Sequence, residues 1–158
     1  MGMVYIFGLI IAVILFNFIA FLTNKRLSKN QIVHIWVYTI AFQTLFDSFI
    51  DLKYHGYWYF TEEHDWASLP ALTMLIPPVN IMFLNWYPFN SPIIKHIFYF
   101  ICWTLVLLMY ELLTLLPKPW GYFHWGWWHL GYAAMTDPIL LITLVLYYKW
   151  ICRIEKIN

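Results

Sequence analysis

Five apolar stretches, each about 20 residues long, limit what this chain can fold into more than any other feature, because a helix of that length crosses a hydrocarbon core of about 30 Å. They occupy roughly residues 3–22, 32–50, 66–85, 94–116 and 128–148. Inside lipid the backbone finds no water to bond, so such stretches satisfy their own amides and carbonyls as helices. The whole chain is 63% hydrophobic and 11% charged, a balance that would leave a water-soluble domain with too much apolar surface. The fold expected is therefore all-α: one polytopic membrane domain over residues 1–158, with no repeat, low-complexity tract or second domain. The first stretch lacks a basic start and a small-residue cleavage site, and Lys25 and Arg26 follow it, so it reads as a retained helix rather than a signal peptide.

Basic residues set the expected orientation. Lys25, Arg26, Lys29, Lys95, Lys149, Arg153 and Lys156 fall at one end of such a bundle, leaving Lys53 and Lys118 of the nine Lys and Arg at the other. The positive-inside rule then places the amino terminus outside and the carboxyl terminus in the cytoplasm. A net charge of +1 with no basic cluster excludes nucleic acid as a partner. Cys102 lies within an apolar run and Cys152 beside a basic tail, which argues against a disulfide or a thiolate metal site.

The acids follow the opposite polarity. Asp47, Asp51, Glu62, Glu63, Asp65, Glu111 and Asp137 fall in the outer half or the outer loops, and Glu155 alone at the cytoplasmic end. A carboxylate near the bilayer centre costs about 2.5–3.5 kcal/mol on insertion scales and usually faces a bundle interior or a wet cavity. In the second stretch, Thr39, Gln43, Asp47 and Asp51 repeat every four residues and so line one helical face. Thr104 and Thr114 lie on the face of Glu111, while Thr136 and Tyr132 stand near Asp137, so hydroxyls are expected to hold these acids. Asp47, Asp51, Glu111, Asp137, Gln43 and Thr104 are the candidate ligand- or ion-binding residues.

Backbone irregularity falls in the same region. Pro77 and Pro78 deprive the carbonyls of Thr73 and Met74 of their donors, and Pro138 does the same to Ala134. Broken helices line sites in many transporters, although proline kinks without a ligand are common too. The outer loops, LKYHGYWYFTEEHDW and PKPWGYFHWGWWH, are rich in Trp and Tyr, which suits an aromatic belt at the membrane interface. Thr61 before Glu62 and Glu63 reads as the start of the third helix. His55, His64, His124 and His129 are the residues from which a metal site would be drawn. No HExxH or other tight ligand spacing is present, so neither a metal nor another cofactor is implied. GxSxG, phosphate-loop and dinucleotide fingerprints are absent as well.

Asp47 and Asp51, the aromatic run Tyr54 to Phe60, Pro77-Pro78, the turn Asn85-Trp86-Tyr87-Pro88, Tyr110-Glu111, and Tyr122 with Trp125 together resemble a family of small multi-pass membrane proteins from spore-forming relatives of Bacillus and Clostridium. The resemblance covers most of the chain from the second stretch onward. It implies a bacterial plasma-membrane protein of about five helices and carries no catalytic assignment. Three functions are open to such a chain. One is binding or translocation of a cation, a proton or a small polar ligand at an outward-facing pocket of carboxylates; a second is a structural subunit that meets a protein partner or a second copy of itself within the lipid; a third is an intramembrane enzyme, with or without a metal, acting on a lipid-linked substrate.

Overall fold

A computed structural model describes residues 6–62 and 66–157. These residues form five α-helices: α1 (Phe7–Thr23), α2 (Lys29–Asp47), α3 (Ile76–Trp86), α4 (Ile93–Thr114) and α5 (Leu130–Ile157). Two short strands, β1 (Tyr57–Tyr59) and β2 (Phe123–Trp125), join them. Three helical stretches, Trp66–Trp86, Ile93–Thr114 and Leu130–Lys156, are long and apolar enough to cross a membrane. The helix Phe7–Thr23 is apolar but shorter.

Local chemistry explains where the helices begin and end. Ser28 caps α2 by accepting from the Gln31 amide at 3.2 Å, and the Gln31 side chain accepts from the Ser28 amide at 3.1 Å. This reciprocal capping box starts the helix before the apolar run does. At its other end α2 passes into a π-helical turn, Ser48–Lys53. The third helix does not start at Thr61: Thr61 and Glu62 lie in a bend, and the helical path begins as a 3-10 turn at Trp66–Ser68. It continues through a π-helical segment, Ala71–Leu75, into α3.

The third helical stretch is the centre of the bundle. Phe83, Ile81, Leu84, Pro77 and Pro78 are fully buried, and α3 packs against α1 and α2 while α4 packs against α5. The two prolines remove donors from the carbonyls of Thr73 and Met74. Both carbonyls are met by side chains of neighbouring helices. Trp36 of α2 donates to the Thr73 carbonyl at 3.0 Å, and Asn17 of α1 donates to the Met74 carbonyl at 2.8 Å. The proline break is therefore sealed by protein, which removes it from the set of sites waiting for a ligand.

Successive helices run in alternate directions, so the connections collect at two ends. At one end Asn85 joins three segments: its Oδ1 accepts from the amides of Lys25 at 3.0 Å and Arg26 at 3.2 Å, and its Nδ2 donates to the Thr23 carbonyl at 3.0 Å. The Arg26 guanidinium donates to the carbonyls of Leu84 and Tyr87 and lies 5.1 Å from the centre of the Phe89 ring. Glu155 reaches back to this end from α5 and accepts from Asn30 at 2.8 Å.

At the opposite end β1 and β2 pair antiparallel, with Tyr57 opposite Trp125, Trp58 opposite His124 and Tyr59 opposite Phe123. The two aromatic loops thus form one lid, where a belt of interfacial rings was expected. Tyr57, Tyr122, Phe123 and Trp128 are buried beneath it. Trp66, Trp120 and Trp127 remain exposed, as a belt requires. Gly126 donates its amide to the Gly56 carbonyl at 2.8 Å, extending the contact past the strands.

Candidate functional site

The polar stripe of α2 does not serve a single site. Thr39 and Gln43 line an inner cavity of about 240 Å³, walled by α2, α3, α4, α5 and the strand lid. Asp47 and Asp51 line a second, outer cavity of about 330 Å³, bordered by α2, its π-helical turn and the start of the third helix. Tyr59 lines both. The proposed four-carboxylate pocket is thereby divided into two pairs, with Glu111 and Asp137 in the inner cavity.

Asp47 stands at the division. It is 5% exposed, and its Oδ1 accepts from Gln43 Nε2 at 3.0 Å and from the Tyr57 hydroxyl, both on residues lining the inner cavity. Its Oδ2 is buried and has no hydrogen-bond partner among the described residues. Burial, followed by the negative charge of Asp47, pushes the Tyr57 phenol well above its ordinary range. Tyr57 consequently stays protonated and acts as a donor to the carboxylate.

Glu111 lies within the last turn of α4, closer to the helix end than its apolar run suggested. Trp125 of β2 donates its indole N–H to Glu111 Oε1 at 2.8 Å, so the lid is fastened to α4 at this acid. Thr114 donates to the Glu111 backbone carbonyl at 2.6 Å and leaves the carboxylate alone. Thr136 likewise bonds back to its own helix, donating to the Tyr132 carbonyl at 2.8 Å. Among the described residues Asp137 has no hydrogen-bond or ion-pair partner, contrary to the expectation of hydroxyl support. A threonine inside a helix satisfies its hydroxyl most readily on a carbonyl three or four residues back, and that local bond wins here.

Thr104 joins neither cavity. It is buried deeper along α4, and among the described residues its Oγ1 has no hydrogen-bond partner. Residues outside the candidate ligand-binding set complete the inner cavity. Asn80 of α3 donates to Thr39 Oγ1 at 2.9 Å, and the hydroxyls of Tyr110 and Tyr122 bond one another at 2.7 Å. Asn80 was detectable as a lone amide in an apolar run; the tyrosines were indistinguishable from belt residues.

The four loop histidines do not converge. His64 lies outside the described residues, His55 is exposed, and His124 stacks on Trp58 with ring centroids 6.2 Å apart. Burial and then Lys118 hold the His124 imidazole below its usual range, keeping it neutral. His129 accepts the Gly131 amide on Nδ1 at 3.1 Å, at the start of α5. Among the described residues no group of three His, Cys, Asp or Glu is placed to hold a metal ion.

Fold and cavities together define a helical bundle suited to a membrane, capped at one end by a two-stranded aromatic lid. No family model, curated protein or solved structure matches the chain.

Proposed function

We propose that the protein crosses a bacterial plasma membrane five times, amino terminus outside, and binds or translocates a cation, a proton or a small polar ligand through an outward-facing pocket of carboxylates. The observation that carries this reading is the pairing of Glu111 and Asp137 in one cavity whose lining contains no Lys or Arg. Two half-buried acids in a largely apolar lining favour a proton or a compensating cation, since an unpaired charge away from water is costly. Orientation rests on the segregation of Lys and Arg described above, and the bacterial membrane on the resemblance to the spore-former family. The strand lid then faces outward, over the inner cavity.

A structural role is the second reading, and it too has an observation in its favour. Asp47 and Glu111 are both engaged as internal struts, by Tyr57 with Gln43 and by Trp125 respectively. Proteoliposomes separate the two. Proton and monovalent-cation uptake is expected in the wild type and to be lost in Glu111→Gln and Asp137→Asn proteins that still fold. Equal uptake and equal binding in all three would sink the ligand reading and leave the structural one.

A further inference from the structure

We infer that the ligand of the inner cavity is an organic ammonium ion with apolar substituents, a deeper statement that rests on the cation-binding reading above. Most polar groups of the lining are already engaged in hydrogen bonds within the protein. Of the five tyrosines in the lining, Tyr57 donates its hydroxyl proton to Asp47 and Tyr38 donates to Thr143 at 3.2 Å, Tyr110 and Tyr122 share one bond between their hydroxyls, and Tyr59 packs its ring against Tyr57 and Phe123. Gln43 and Asn80 donate to Asp47 and Thr39. These rings therefore present carbon and π-electron density to the cavity, and little hydrogen-bonding capacity.

The polar atoms left over are mainly acceptors: the Asp137 carboxylate, the second oxygen of Glu111 and the amide oxygens of Gln43 and Asn80. A neutral polyol would find few donors there for its own oxygens. A metal ion such as calcium needs about six to eight oxygens close around it, and among the described residues no three His, Cys, Asp or Glu gather to begin such a set. Aromatic faces beside a carboxylate suit a cation whose charge is spread beneath alkyl groups, because the ring quadrupole attracts it and the alkyl surface is desolvated at little cost. Phe46, Tyr57, Tyr110 and Trp128 supply the rings and Glu111 and Asp137 the charge. At about 240 Å³ the cavity falls just below the usual range of small-molecule pockets, about 300–1,000 Å³, which limits the ligand to a small ion.

The test uses the full chain in lipid nanodiscs and equilibrium dialysis with three probes: choline, its uncharged isostere 3,3-dimethyl-1-butanol, and sodium. Choline should bind saturably, at least about tenfold more tightly than the isostere, and an excess of sodium should not displace it. Glu111→Gln and Asp137→Asn should each weaken choline about tenfold or more. Tyr110→Leu should weaken it where Tyr110→Phe does not, with thermal melts identifying any variant that fails to fold. Acid-dependent binding of sodium without binding of choline would overturn this inference and leave the broader cation reading standing. Binding of none of the probes, or binding indifferent to both acids, would overturn the two together.

Discussion

Replacing Tyr57 with Phe removes one oxygen and leaves the aromatic packing of the lid unchanged. Asp47 then keeps a single partner, Gln43 at 3.0 Å, while its other oxygen already has none. The bond joins a strand to a helix, and the nearest measured guide is side-chain hydrogen bonds between membrane helices, which average about 0.6 kcal/mol and reach about 1.7. Leaving a buried acceptor short of a donor costs about 1–3 kcal/mol. The near-complete burial of Asp47 and Tyr57, 5% and 4% exposed, places this bond at the upper end of the first range, giving a loss of about 1.5–2 kcal/mol. At about 2–4 °C per kcal/mol for a chain of this size, the melting midpoint should fall by about 3–8 °C. Cys102 and Cys152, both half-buried, allow unfolding in detergent to be followed with a thiol-reactive fluorophore. Tyr54→Phe is the control, since Tyr54 is 52% exposed and its change should stay within about 0.5 kcal/mol. A double-mutant cycle with Asp47→Leu completes the argument: removing both partners should cost about 1–2 kcal/mol less than the two single losses added. Equal shifts for Tyr57→Phe and Tyr54→Phe, with an additive cycle, would refute the idea that Asp47 is held from the lid.

Two further substitutions probe the ends of the bundle. Asn85→Leu keeps the side-chain volume but strips partners from the Thr23 carbonyl and the Lys25 and Arg26 amides; at about 1 kcal/mol per bond the same melt should show a loss of about 3 kcal/mol. Gly121→Ala would place a Cβ 1.7 Å from the Leu116 carbonyl oxygen and 2.8 Å from that of Thr114, where only backbone movement gives relief. The expected outcome is a cost of about 3 kcal/mol or more, read as loss of the monodisperse peak in size-exclusion chromatography.

The helices were legible in the sequence because apolar length acts locally: each run needs only lipid and its own backbone to declare itself. The prolines were legible in the same way, since the carbonyls they release are fixed by chain geometry. Which side chains answer those carbonyls was not, because Asn17 and Trp36 lie on other helices. The lid escaped notice for a related reason. Tyr57–Tyr59 and Phe123–Trp125 are too short to form strands alone, and nothing local to either names the other as its partner. The division of the acids had a subtler cause. A four-residue spacing is blind to the depth at which neighbouring helices close in, so one continuous face of α2 passes from the inner cavity at Gln43 to the outer one at Asp47.

The seal over the proline break also bears on how the chain is built. A third helix alone in lipid would expose the carbonyls of Thr73 and Met74, each at a cost of several kcal/mol. Their donors, Asn17 and Trp36, belong to helices made earlier on the ribosome. Synthesis from the amino terminus therefore sets out the two donors before the segment that needs them emerges. The order of the genetic message is here also an order of assembly, and a permuted chain beginning at the third helix would have to reach the bilayer with its weakest segment first.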